Sequence, residues 1–314
     1  MRRSALRIGF ALLALAAVAL AGRAIATQWH AFVASGARLT PRWSLLALSS
    51  GIVLVAYALL VETWRRVVRA WDADIPWSQA ARIWFISNLG RYLPGKVWQI
   101  GAMGVMAQQR GVSVLAATGS ALVINLVNLL AGFGLVVVTG AEFFEARGAA
   151  IVLGAMLVGG IVLAPRVIPL AARVAGRILR REVTLPALPD RALWLASIGC
   201  LLAWILYGIA FRIFVAGILG AAPGRTTSYI AAFTGSYLAG YIVLFAPGGI
   251  GVREGSLIVA LGRLGLAQAG AAGVISLTSR LWLTILEVLP GLGYLAADAL
   301  RGRRPISPRH DSQA

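Results

Sequence analysis

The chain has 314 residues, of which 59% are hydrophobic and 13% charged, with a mean hydropathy of +0.82 and a formal net charge of +18. Soluble globular domains carry about 25% charged residues, so the composition excludes a free-standing soluble catalytic domain and points to one domain embedded in a membrane. The positive charge is almost all arginine, with Lys96 the sole lysine, and reads as loop bias and contact with anionic lipid rather than with nucleic acid. Cys200 is the single cysteine, which excludes an internal disulfide. His30 and His310 lie at opposite ends of the chain. A histidine-based metal site or a catalytic triad therefore has no materials, and no cofactor is expected.

Charge-free stretches set the predicted spans in chain order. The first is Ile8–Gly22, preceded by Arg2 and Arg3. Ala24-Ile25-Ala26 imitates a signal-peptide cleavage site, but nothing downstream looks secreted, so this segment is read as a membrane helix. Trp43–Val61 is the second span, Gly111–Ala141 the third and Gly148–Pro165 the fourth. Ala192–Phe211 is the fifth, extending past Arg212 toward Ala222. Leu264–Ala297 is the sixth, interrupted by Arg280 and Glu287. Trp29, Trp43, Trp64, Trp71 and Trp77 fall near predicted ends, where aromatic belts are expected. Residues 1–300 form one transmembrane domain and 301–314 a polar basic tail.

Two regions do not fit whole spans. In 77–109, the short apolar pieces Ile83–Gly90 and Val97–Gln109 flank Arg91-Tyr92-Leu93-Pro94-Gly95-Lys96. In 226–263, an apolar arm is followed by Pro247-Gly248-Gly249-Ile250-Gly251-Val252-Arg253-Glu254 and a short second arm. Pro-Gly pairs break helices. Both regions are predicted to be helix–break–helix hairpins that enter the membrane and return to the same side. Such backbone is tolerated at depth only inside protein or beside a water-filled cavity.

Six spans and two re-entrant hairpins, with the N-terminus cytoplasmic, put eighteen loop and tail arginines inside and six outside. A full crossing by either hairpin would reverse every later loop. Both regions follow one plan, with the break, then Arg110 or Arg263, then a long helix bearing Gly132-Phe133-Gly134 or Gly291-Leu292-Gly293. Entry from opposite sides makes them an inverted repeat, a common plan for secondary transporters. The expected fold is thus an all-α polytopic membrane protein.

A charge at the bilayer centre costs at least about 2.5 kcal/mol, so buried ionisable residues are functional candidates. They are Arg91, Lys96, Arg253, Glu254, Arg280 and Glu287. Each break starts a new half-helix whose free N–H groups and positive dipole end suit a phosphate. Arg91, Lys96 and Arg253 either meet that phosphate or reach out to the interface. Glu254 either pairs with a cation, caps its helix and favours its dipole, or exchanges a proton. Arg280 and Glu287, two turns apart on one face, each require a partner elsewhere. Asn125 and Asn128 either bond between helices or bind a ligand. The glycines Gly248, Gly249 and Gly251 complete no P-loop or dinucleotide fingerprint.

Gly90-Arg91-Tyr92-Leu93-Pro94-Gly95-Lys96-Val97-Trp98 with Gln109-Arg110-Gly111-Val112-Ser113 resembles the first signature of the lysylphosphatidylglycerol synthase transmembrane-region family. Phe245-Ala246-Pro247-Gly248-Gly249-Ile250-Gly251-Val252-Arg253-Glu254-Gly255 resembles its second, more specific signature. The resemblance covers most of the chain and implies a flippase-like module that moves a lipid across the bacterial inner membrane. Lysyl-lipid synthesis is not implied, since the family places it in a separate cytosolic domain and this sequence ends soon after Ala297. The implied partners are a membrane phospholipid or a polyprenyl-linked lipid or glycolipid, and a lipid-modifying enzyme. A homo-oligomer is compatible with the chain. The competing readings are a membrane-embedded transferase using Glu254 as base, and a scaffold for an enzyme acting on lipid-linked substrates.

Overall fold

The computed structural model describes residue 33 and residues 40–71, 74–92, 97–140, 189–243 and 249–300. The predicted first and fourth spans, the tail 301–314, and Pro94, Gly95, Lys96, Pro247 and Gly248 at the hairpin breaks lie outside the described residues. The described elements are all helical. They are α1 (Trp43–Trp71), α2 (Trp77–Asn88), a 3-10 turn (Leu89–Tyr92), α3 (Val97–Gln108), α4 (Val114–Thr139), α5 (Asp190–Leu219), α6 (Thr226–Ile242), α7 (Val252–Arg263) and α8 (Ala269–Leu300).

Local chemistry sets these boundaries. The Ser113 hydroxyl accepts from the Ala116 N–H at 3.2 Å and caps α4. Pro189 precedes α5, Asp190 favours the positive end of its dipole, and Gly220, at φ +80, ends it in the left-handed conformation. Helix α1 runs past the predicted end at Val61 to Trp71, because Glu62 neutralises Arg65 and Arg66 on the same helix at 2.7 and 2.8 Å.

Among the described residues four helices, α1, α4, α5 and α8, are long and apolar enough to cross a bilayer. Helix α8 has the lowest mean hydropathy of the four, 1.4, because it carries Arg280 and Glu287. The other helices are shorter. Helices α2, α3 and α7 have 12 residues each, about 18 Å of helix against a hydrocarbon core of about 30 Å. As expected from the Pro-Gly breaks, each irregular region is a pair of short packed helices, α2 on α3 and α6 on α7.

The strongest pairing is between α1 and α5. Gly199 and Gly217 of α5 lie directly against Thr63 and Leu46 of α1, where any larger side chain would hold the helices apart. The pair is antiparallel, since the Thr40 and Arg42 N–H groups donate to the Ile218 and Gly217 carbonyls at 3.0 and 2.8 Å. At the other end of the bundle, Arg65 and Arg69 hold Asp74, and Arg82 Nε donates to Asp298 Oδ2 at 2.8 Å. Asp74 is thus ion-paired on an exposed surface, its side chain 64% accessible. Helix α2 therefore starts from the end where α8 finishes, and α6 starts from the end where α1 begins.

Buried aromatic side chains fill the centre, among them Trp64, Phe211, Tyr229 and Phe233. Trp64 departs from the belt expectation. It is 0% exposed, and its Nε1 donates to Ser120 Oγ of α4 at 3.1 Å. Large apolar side chains such as Trp43, Val55, Val138, Trp194 and Leu289 instead face outward, an arrangement suited to hydrocarbon and costly in water.

Candidate functional site

Four of the six charged residues singled out by the sequence, Arg91, Arg253, Arg280 and Glu287, line one cavity bounded by the long helices and both broken ones, while Lys96 lies outside the described residues. It encloses about 1210 Å³ of unfilled space, its open mouth included. Arg91, Asn125, Asn128, Arg253, Arg280 and Glu287 all line it. Glu254 reaches it through Arg280.

Each broken helix delivers one arginine. Arg91 lies in the 3-10 turn that ends the first arm, and its Nη1 donates to the Tyr237 hydroxyl of α6 at 3.0 Å. The same nitrogen lies 2.7 Å from Glu287 Oε1 of α8. Arg253 lies in the first turn of α7, with its guanidinium carbon 4.8 Å from the Tyr237 ring centroid and 5.5 Å from that of Phe233. Tyr237 thus holds one arginine through its hydroxyl and the other through its ring face. Close approach of α7 to α6 makes this possible. Gly249, at φ +72, lies so near Gly240 that a Cβ there would sit 2.8 Å from the Gly240 carbonyl oxygen.

Arg280 and Glu287 find separate partners, as their two-turn spacing requires. Arg280 pairs with Glu254 of α7, and Glu287 with Arg91. Helix α8 therefore ties to the first broken helix by a carboxylate and to the second by a guanidinium. Glu254 also caps its own helix, accepting from the Gly251 N–H at 2.6 Å. Glu287 is 3% exposed, and a carboxylate at that depth is stable only when paired.

Arg253 differs from the other two arginines. Among the described residues no carboxylate pairs with it, and its Nη2 is buried without an acceptor. Among the described residues three guanidinium groups thus meet two carboxylates, which leaves one net positive charge against aromatic faces.

The amides of α4 divide between the two roles open to them. Asn125 Nδ2 donates to the Ala121 carbonyl at 2.8 Å, and its Oδ1 faces the Tyr241 hydroxyl at 3.4 Å. The Asn128 backbone carbonyl accepts from Trp204 Nε1 at 2.9 Å, while its side chain lines the cavity. Sequence reasoning missed Trp84, Asn88, Gln99 and Tyr237, which also line it. Asn88 and Gln99 bond to each other at 2.5 Å across the first break. Their signal was available, since each is an amide inside a short apolar arm. Among the described residues no cluster of histidine, cysteine and carboxylate side chains could hold a metal ion.

The arrangement is a polar, net-positive chamber walled by membrane-spanning helices, with both signature segments contributing to it. Residues 5–291 match the lysylphosphatidylglycerol synthase TM region. The chain belongs to that family. The match takes in both broken helices and every cavity residue named above. A search of curated proteins finds no match. The protein is a multi-pass membrane protein of a family concerned with lipid handling.

Proposed function

We propose that this protein moves a phosphate-bearing lipid across a bacterial inner membrane, with the cavity as the headgroup site and both termini cytoplasmic. The observation that carries this reading is Arg253, a cation without a carboxylate partner among the described residues, at the meeting point of two broken helices. Burying such a charge costs several kcal/mol unless something compensates it. The phosphate of a lipid supplies the missing negative charge.

Transport geometry is supported by the opposed origins of the two hairpins, α2 from one end of the bundle and α6 from the other. This is the arrangement expected of re-entrant hairpins in an inverted repeat, with the substrate near the midplane. In this reading the ion pairs on α8 are the contacts exchanged as one half rocks against the other. Carrier rather than enzyme is the better reading, because Glu254, the candidate base of a transferase, is engaged by Arg280 and by the Gly251 N–H.

The test is a dithionite-quenching assay in liposomes with tail-labelled phosphatidylglycerol. Wild-type protein is expected to expose inner-leaflet label, and Arg253→Gln to slow this at least about tenfold, the loss of one charge-assisted contact. No movement of any anionic lipid by folded wild-type protein refutes the reading.

A further inference from the structure

The cavity's unmet hydrogen-bond donors narrow the class of headgroup it fits. Asn88 is 1% exposed. Its Oδ1 accepts from Gln99, but its Nδ2 donates to no described residue. Trp84 Nε1 and Arg253 Nη2 are likewise buried donors without acceptors among the described residues. All three residues line the cavity. An unmet buried donor costs about 1–3 kcal/mol, and native proteins keep few of them. Three around one chamber call for a ligand rich in acceptor oxygens.

The acceptor side points the same way. The two carboxylates at the site are already engaged by arginine, Glu287 by Arg91 and Glu254 by Arg280. A ligand ammonium would enter a chamber that holds one net positive charge and would have to displace an arginine to find a carboxylate. A phosphodiester brings a single negative charge and matches the surplus. Beyond the phosphate, the Asn128 side-chain amide makes no hydrogen bond with any described residue, and an amide both donates and accepts. That pairing suits hydroxyl groups, which also do both.

Resting on the reading of the cavity as a lipid headgroup site, we propose that it selects a phosphodiester lipid whose outer headgroup is an uncharged polyol or sugar, and that it disfavours cationic aminoacylated headgroups. Arg253 takes the phosphate. Asn88, Trp84 and Asn128 take the hydroxyls. The Arg91–Glu287 pair keeps a carboxylate out of reach of a ligand ammonium.

Phosphatidylglycerol and its lysyl ester share the phosphodiester and differ in the lysyl group, which adds two ammonium groups and takes up one headgroup hydroxyl. Phosphatidylinositol, which keeps its hydroxyls, and phosphatidic acid, which has none, separate the hydroxyl effect from the charge effect. Purified protein in phosphatidylcholine nanodiscs doped with phosphatidylglycerol, phosphatidylinositol, phosphatidic acid or lysyl-phosphatidylglycerol is analysed for retained lipid by native mass spectrometry. Phosphatidylglycerol and phosphatidylinositol are expected to be retained at least about tenfold over the lysyl ester, or about 1.4 kcal/mol. The Arg91→Gln variant, which releases the Glu287 carboxylate, is expected to shrink that preference about tenfold. The wild-type comparison stands even if the variant does not fold. Lysyl-phosphatidylglycerol retained as well as phosphatidylglycerol overturns the proposal and leaves a lipid site in place. Retention of none of the four, with no binding of free glycerophosphoinositol either, overturns both. Free glycerophosphoinositol bound where no lipid is retained supports the headgroup chemistry and ends the lipid reading. Selective retention without movement in the liposome assay supports the selectivity and ends the transport reading.

Discussion

Replacing Glu287 with glutamine keeps the shape of the side chain and removes its charge. The wild-type carboxylate is 3% exposed and lies 2.7 Å from Arg91 Nη1. In the variant, three guanidinium groups face Glu254 alone. Removing one partner of a buried pair costs about 3–5 kcal/mol. Arg91 keeps its bond to Tyr237 and a side chain 24% exposed, so the lower end applies, about 3 kcal/mol or roughly a hundredfold in the unfolding equilibrium. Arg91→Gln strands the buried carboxylate instead and is expected to cost at least as much. The double variant places two neutral amides side by side, and its loss should fall short of the summed single losses by about 2 kcal/mol. The measurement is equilibrium unfolding in mixed micelles of rising dodecyl sulfate, followed by tryptophan fluorescence. Single losses that add to within about 0.5 kcal/mol mean that the two groups do not interact, and the ion-paired account of α8 is then wrong.

Gly249→Ala is expected to destabilise by about 1–3 kcal/mol in the same unfolding assay, since the residue has φ +72 and a Cβ would meet Gly240 backbone. Gly262→Ala, on α7 with nothing within 4 Å of the added carbon, should be neutral or stabilising by up to about 1 kcal/mol. Trp204→Phe removes the donor to the Asn128 carbonyl and is expected to cost about 1 kcal/mol while keeping an aromatic cavity wall, read by the same unfolding midpoint. Sidedness is tested with single cysteines in a Cys200→Ala background. Ala221→Cys should react with an impermeant maleimide in intact spheroplasts, and Gln109→Cys only after permeabilisation. Labelling of both from one side refutes the proposed topology.

The sequence made much of this site legible, because membrane chemistry makes each departure from hydrophobicity conspicuous. Arg91, Arg253, Arg280 and Glu287 are conspicuous in apolar surroundings, and all four line one cavity. The helix breaks were legible for the same reason, since proline and glycine act locally. What the sequence did not carry was partnership. That Glu287 meets Arg91, and Arg280 meets Glu254, depends on how two broken helices seat against α8. Tyr237 and Trp84 were invisible as cavity residues, because aromatic side chains in an apolar helix read as core until a neighbour is known. Trp64 shows the converse. Its position near a span end suggested the interface, but Ser120 of α4 offered its indole a buried acceptor.

The double engagement of Tyr237 has a mechanical consequence. A phenol ring is rigid, so its hydroxyl and its face cannot shift independently. With Arg91 at the oxygen, 3.0 Å away, and Arg253 4.8 Å from the ring centre, the side chain acts as a yoke between the hairpins. A headgroup that draws Arg253 off the ring gives up a contact worth about 2 kcal/mol and frees the ring to tilt, which slackens its grip on Arg91. Phenylalanine at this position would keep the face and cut the oxygen, uncoupling the two arms while leaving each in place.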